Sequence, residues 1–176
     1  IVVIPGNHDV CEYKDDWNRM KEMLSNATHV PMFEVVHIQD LSFYGSPWMY
    51  WHTWDYRMKL TLRGNQKETR FDEIPDNIDV LLTHGPCLDA LDFADGNFNS
   101  GSAELLQHVE RSKPRLHLHG HIHEAAGFLV SADTITLNSS MVDWKTTKMV
   151  NKPQVVDIDP NSIEHPCLIS PGEWGQ

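Results

Sequence analysis

The chain has 176 residues and a formal net charge of −11, with 14 Lys and Arg against 25 Asp and Glu. That length supports one domain with a substantial core, and the charge excludes a general nucleic-acid binder, which needs a basic stripe. No apolar run approaches the ~20 residues of a membrane span. Cys11, Cys87 and Cys167 are too few for a disulfide framework, which points to a reducing, cytoplasmic setting.

In chain order, residues 1–4 (Ile-Val-Val-Ile) read as a buried strand ending at Pro5-Gly6. Residues 12–27 read as a helix, with Trp17, Met20 and Leu24 on one face. Residues 33–37 and 41–45 suggest a hairpin turning at Gln39-Asp40. Residues 46–58 are aromatic and irregular; residues 59–71 are polar and weakly helical. Residues 78–82 are a short all-apolar strand, typical of a sheet covered on both faces. Residues 89–101, with Asp92 and Asp95, read as a solvated loop. Ser102 is a suitable N-cap for a helix carrying Leu105, Leu106 and Val109. Strands follow near residues 115–119, 127–131, 134–138 and 154–158, with Ala132-Asp133 joining the middle two. Early β–α alternation followed by late hairpins predicts an α/β layered sheet with helices outside.

Three of these strands release ligand-type residues at their ends. Gly6-Asn7-His8-Asp9 follows the first run, Thr83-His84-Gly85-Pro86 the second, and Gly120-His121-Ile122-His123 the third. Such placement describes a site at the mouth of an α/β sheet. His84, His121 and His123 offer neutral imidazole nitrogens, and Asn7 a neutral carbonyl oxygen, all suited to first-row divalent cations. Gly6, Gly85 and Gly120 would allow close approach. The chemistry implied is metal-assisted hydrolysis of a phosphate ester. Acidity of the whole chain does not oppose this, because bound cations can dominate the local field. His8, pointing away from Asn7 on an extended backbone, is free to protonate a leaving group. His117 and His119 lie inside a predicted strand, where a hydrogen-bonded or solvated role outweighs ligation. His29, His37, His52, His108 and His165 have no supporting context. Trp48, Tyr50, Trp51 and Trp54 read chiefly as packing.

These blocks resemble the calcineurin-like metallophosphoesterase superfamily, whose pattern runs Asp-x-His, Gly-Asp, Gly-Asn-His-Asp/Glu, a lone His, then Gly-His-x-His. The segments at residues 44–48, 82–86 and 114–124 are similar to its metallophosphoesterase-domain-containing subgroup, whose members act on phosphodiesters including cyclic nucleotides; this finer resemblance spans most of residues 1–158. The resemblance implies a four-layer α/β/β/α sandwich over residues 1–160, lacking its N-terminal part, followed by a tail at 161–176. It implies two divalent ions, manganese first, with Fe, Zn, Ni or Mg as alternatives. Asn7, His84 and His121 would bind the second ion and His123 the first. A metal-bridging hydroxide would attack phosphorus while His8 acts as general acid on the departing alkoxide. The expected partner is a small phosphate ester or nucleotide, with no general nucleic acid and no membrane. Substrate-binding residues are not assigned.

The first two family blocks do not occur before Gly6. The chain opens in an apolar run with no initiator Met, and the expectation is that an N-terminal portion precedes it. Without a bridging carboxylate, repulsion opposes a dinuclear centre, so this chain alone is expected to be inactive. The alternative is a non-catalytic, degenerate member that binds a nucleotide or a protein. A structural zinc protein would need paired Cys or Cys/His spacings that are not present.

Overall fold

Short apolar segments bounded by turn-forming residues pair into one central sheet. The computed structural model of the protein describes residues 1–9, 17–50, 61–62, 71–95, 98–162 and 166–169. Helix α1 (Trp17–Met23) is followed by β1 (Val35–Ile38) and β2 (Leu41–Ser46), which form the expected hairpin. Its linking residues Gln39 and Asp40 have φ of 49° and 64°, the paired positive values of a two-residue turn whose twist matches its strands. A short parallel pair, β3 (Met49–Tyr50) and β4 (Thr61–Leu62), comes next. Then follow β5 (Val80–Thr83), the small hairpin of β6 (Phe93–Ala94) and β7 (Phe98–Asn99), and α2 (Ala103–Ser112). Ser102 caps α2 as predicted, its side chain accepting from Leu105 N at 3.1 Å. The chain continues through β8 (Leu116–His119), β9 (Gly127–Val130), β10 (Ile135–Asn138), β11 (Val155–Asp157) and β12 (Cys167–Ile169).

The main sheet has the order β1-β2-β5-β8-β10-β9. Its four inner strands run parallel, and β1 and β9 are antiparallel edges. The fold is therefore mixed α/β, as the alternation predicts. Strand alternation sends successive side chains to opposite faces. On one face Tyr44 and Leu81 pack with Phe71, Ile74, Leu105 and Val109, the last two from α2. On the other, Val80, Leu116, Ile135 and Leu137 form a second cluster, joined by Val156 and Ile158 beside β11. Near the C-terminal ends of the parallel strands the α2-side face turns polar. Ser46, Thr83, His117, His119, Thr136 and Asn138 are all buried there, and the pairing register sets Ser46 opposite Thr83, Thr136 opposite His117 and Asn138 opposite His119.

Several expectations are corrected. Residues 1–4 are not a strand: Val2 bridges His29, Val3 N–H reaches the His29 carbonyl at 3.1 Å, and Ile1 is 82% exposed. Apolar content makes a strand only where a partner runs alongside, and among the described residues this run meets one at a single bridge. The predicted helix over 12–27 ends at Met23, and residues 12–16 lie outside the described residues. Most of 59–71 also lies outside them, but Thr61–Leu62 are strand and Phe71–Glu73 form a 3₁₀ turn. Asp92 is not solvated: it is 3% exposed and accepts from Gly101 N at 3.0 Å. The segment expected as a tail contains β12, paired antiparallel with β11.

Candidate functional site

Three sequence blocks separated by dozens of residues meet where β5 and β8 end. Gly6 begins the first. Residues 7–9 are helical, and Asp9 Oδ2 reaches back to accept from Gly6 N at 2.7 Å. That is the returning half of a capping box, and it assigns Asp9 to holding the turn. The turn delivers Asn7, which is buried, and His8, which is exposed.

His84 immediately follows β5. Its Nε2 lies 2.7 Å from Asn7 Oδ1. The ring sits directly over Gly6: a Cβ there would stand 2.7 Å from His84 Cε1 and 3.0 Å from Nδ1. The glycine of the first block is thus required by the histidine of the second. The second and third blocks are tied by Gly120 N–H, which donates to the His84 carbonyl at 3.1 Å.

His121 occupies a tight turn after β8. Its φ is 69°, and Ile122 N–H closes a three-residue ring onto the Gly120 carbonyl at 2.8 Å. This is a γ-turn of the positive-φ kind, rare and strained in a non-glycine residue. It places the His121 ring 4.8 Å from that of His84, tilted by 55°. Asn138, fully buried at the end of β10, holds the far side of the turn. Its Nδ2 donates to the carbonyls of Ile122 (2.7 Å) and Leu91 (3.4 Å), and its Oδ1 accepts from Ser140 N at 3.1 Å. Sequence reasoning missed Asn138; the available signal was an amide closing the otherwise apolar Ile135–Asn138 strand.

His123 starts the 3₁₀ turn His123–Ala125. Its Nδ1 is hydrogen-bonded to the Val142 carbonyl. A carbonyl only accepts, so Nδ1 carries a proton, and Nε2 is the ring nitrogen left to meet a metal, the arrangement usual for a metal-ligating histidine.

Burial, and then the imidazoles of His8, His119 and His123, hold His84 down to about 4. Burial first and His84 second bring His121 down to about 3. Burial likewise holds His119 down to about 4, against carbonyl contacts from Gly120 and Ala90 that raise it. The rings are therefore neutral near pH 7, the form in which imidazole binds a metal. Cys87 is no candidate nucleophile, since burial pushes its thiol up to about 12.

The structure brings Asn7, His84 and His121 into direct proximity, with His8 and His123 within electrostatic range of both rings. Two ligand atoms about 2.1 Å from one ion and about 90° apart stand about 3 Å from each other. The 2.7 Å between Asn7 Oδ1 and His84 Nε2 is close to that spacing. The donor set, one amide oxygen and neutral imidazoles, fits a first-row divalent cation. Among the described residues, no group of three or more His, Cys, Asp or Glu is gathered tightly enough to hold an ion.

Residues 1–125 match the family model described as Calcineurin-like phosphoesterase. The chain is 33% identical over 147 residues to "Metallophosphoesterase domain-containing protein 1" of Homo sapiens, covering 82% of this chain and 44% of that protein. It is 34% identical over 140 residues to "UPF0046 protein T07D4.2" of Caenorhabditis elegans, covering 78% and 34%. It thus spans less than half the length of either relative. One solved crystal structure shares its fold at a TM-score of 0.53 with 14% identity, over 86% of this chain and 65% of that one. The matched span contains the turns that carry Asn7, His84 and His121, and on it the chain belongs to the calcineurin-like phosphoesterase family.

Proposed function

We propose that this chain carries part of the active site of a metal-dependent phosphoesterase that hydrolyses a phosphodiester, with a cyclic nucleotide among the candidate substrates. The observation that carries this reading is the meeting of Asn7 Oδ1, His84 Nε2 and the His121 ring beyond the C-terminal ends of two parallel strands. Ligands bind at that end of an open α/β sheet.

Asn7, His84 and His121 would hold one divalent ion, manganese being the first choice, and His123 would offer Nε2 to another. A bound ion supplies Lewis acidity toward the phosphoryl oxygens and activates water. The Nε2 proton that His84 now directs at Asn7 would move to Nδ1 when an ion binds at Nε2, a change of tautomer with no net proton release. Asp9 and Gly6 fix the turn that presents Asn7. His8 follows Asn7 on the same turn and is exposed, so it can meet a leaving-group oxygen at the rim of the pocket and protonate it.

The test is turnover of bis(p-nitrophenyl) phosphate with Mn²⁺, comparing wild type with His8→Ala and His84→Ala in a protein that includes this chain. Removing a general acid should lower kcat by about 10²–10⁴-fold, while His84→Ala should weaken Mn²⁺ binding. Nucleotide binding without turnover would favour a non-catalytic binding protein. Turnover unchanged in His8→Ala would defeat the assignment of the acid.

A further inference from the structure

His117 lies on β8, four residues before His121, in the buried polar band. Its Nε2 is 2.8 Å from Thr83 Oγ1. Thr83 Oγ1 in turn donates to the Gly85 carbonyl at 2.7 Å. A hydroxyl has one proton and a carbonyl none. With the Thr83 proton committed to Gly85, Oγ1 can only accept from His117, so that ring must be the Nε2–H tautomer. Nδ1 is then a lone-pair atom that meets no donor among the described residues. A second proton there would be buried without an acceptor, and burial does hold this ring's pKa well below its ordinary value.

The relay ends on either side of His84: Thr83 precedes it and Gly85 follows it. Thr83 is therefore clamped at its hydroxyl by a histidine from the neighbouring strand and clamps the carbonyl two residues on. We propose that His117 is a positioning residue for this site: its Nε2–H fixes the Thr83 hydroxyl on the Gly85 carbonyl, and this relay sets the turn that presents the His84 ring to Asn7. The consequence for metal binding rests on the function proposed above; the relay itself does not.

The test uses the full chain. ¹⁵N-edited NMR without metal reads the His117 tautomer and the His84 ring resonances, and calorimetric titration with Mn²⁺ reads affinity. The expected tautomer is Nε2–H. Both Thr83→Val and His117→Phe should shift the His84 ring resonances and weaken Mn²⁺ binding by about 10- to 100-fold. His117→Gln, whose amide N–H can reach Thr83, should restore both readouts. An Nδ1–H tautomer, an unmoved His84 ring in Thr83→Val, or a Gln variant as impaired as Phe would overturn the proposal. Should His117→Phe fail to fold, the near-isosteric Thr83→Val carries the same comparison. Should wild type bind no Mn²⁺, the metal reading fails, while the tautomer and the His84 resonances still decide the relay.

Discussion

Gly6→Ala probes the site through one contact. The added Cβ would stand 2.7 Å from His84 Cε1, 3.0 Å from Nδ1 and 3.4 Å from Nε2. Carbon atoms in ordinary contact stand about 3.5 Å apart or more, so the His84 ring must retreat by about 0.8 Å. It cannot do so freely, because Nε2 is engaged with Asn7 at 2.7 Å and the His121 ring lies 4.8 Å away. Ligand atoms hold an ion within about 0.2 Å of ideal distances, and a misplacement of about 1 Å at a reacting centre can cost about 100-fold. Mn²⁺ affinity should therefore fall by about 10- to 100-fold, a loss in the range seen when the support of a metal ligand is removed. Overpacking should lower stability by only about 1–3 kcal/mol. Gly120→Ala is the matched control. Its Cβ would meet nothing nearer than Ser140 Oγ at 3.6 Å, so close approach does not require glycine there, contrary to what the motif suggests. Calorimetric titration with Mn²⁺, paired with urea unfolding in chelator, separates binding from stability. Wild-type affinity in Gly6→Ala, or an equal loss in Gly120→Ala, would refute the reasoning.

Stability in chelator should fall with acid. His84 and His119 are held down to about 4 and His121 to about 3, while His117 is lowered well below its usual value. Unfolded imidazoles take up protons near 6.5, so between that value and the folded ones the unfolded chain binds more protons and acid favours it. The stabilisation is complete above 6.5 and is lost as pH falls toward 4, at up to about 1.4 kcal/mol per pH unit for each ring. A urea midpoint that stays flat from pH 7.5 to 4.5 would contradict this. Asn138→Leu removes hydrogen bonds to Ile122, Leu91 and Ser140 and leaves the buried Ile122 carbonyl and two part-buried groups unpaired; it should cost about 2–4 kcal/mol. Thermal unfolding that shows less than about 1 kcal/mol would mean that Asn138 does not clamp the His121 turn.

The strands of the main sheet were legible because apolar runs of sheet length, bounded by turn residues, have few alternative fates. Residues 80–83 and 135–138 illustrate this, as does the Gln39-Asp40 turn. Residues 1–4 were misread for the same reason in reverse: composition states a preference, and the partner decides. The His-x-His alternation of β8 was legible as strand but not as burial. Its rings lie on the face shared with Leu81, where His117 meets Thr83 and His119 meets the Ala90 backbone, and no local pattern records contacts to segments dozens of residues away. Asp92 was misplaced likewise, since its partner Gly101 N lies nine residues on. The blocks singled out Asn7, His84 and His121, and the structure brings these three side chains together. The Gly6–His84 contact and the Asn138 clamp depend on the crossing of segments dozens of residues apart, which spacing along the chain does not encode.

The charge balance of the donors sets what this arrangement can hold. Asn7 is neutral, and burial keeps His84 and His121 neutral. Asp9, the carboxylate adjacent in sequence, is engaged with Gly6 N. A single divalent ion can sit among neutral donors and leave its charge facing outward, where it attracts a phosphate ester despite the net charge of −11 on the chain. A second ion is a different matter. Two unit charges about 4 Å apart interact by about 4 kcal/mol at an effective dielectric of about 20, so two dications repel by about four times that. Neutral imidazoles do not offset such a term, and His123 would bring no anionic donor. Dinuclear occupancy would therefore require an anionic bridge, from a carboxylate outside this donor set or from the phosphate itself.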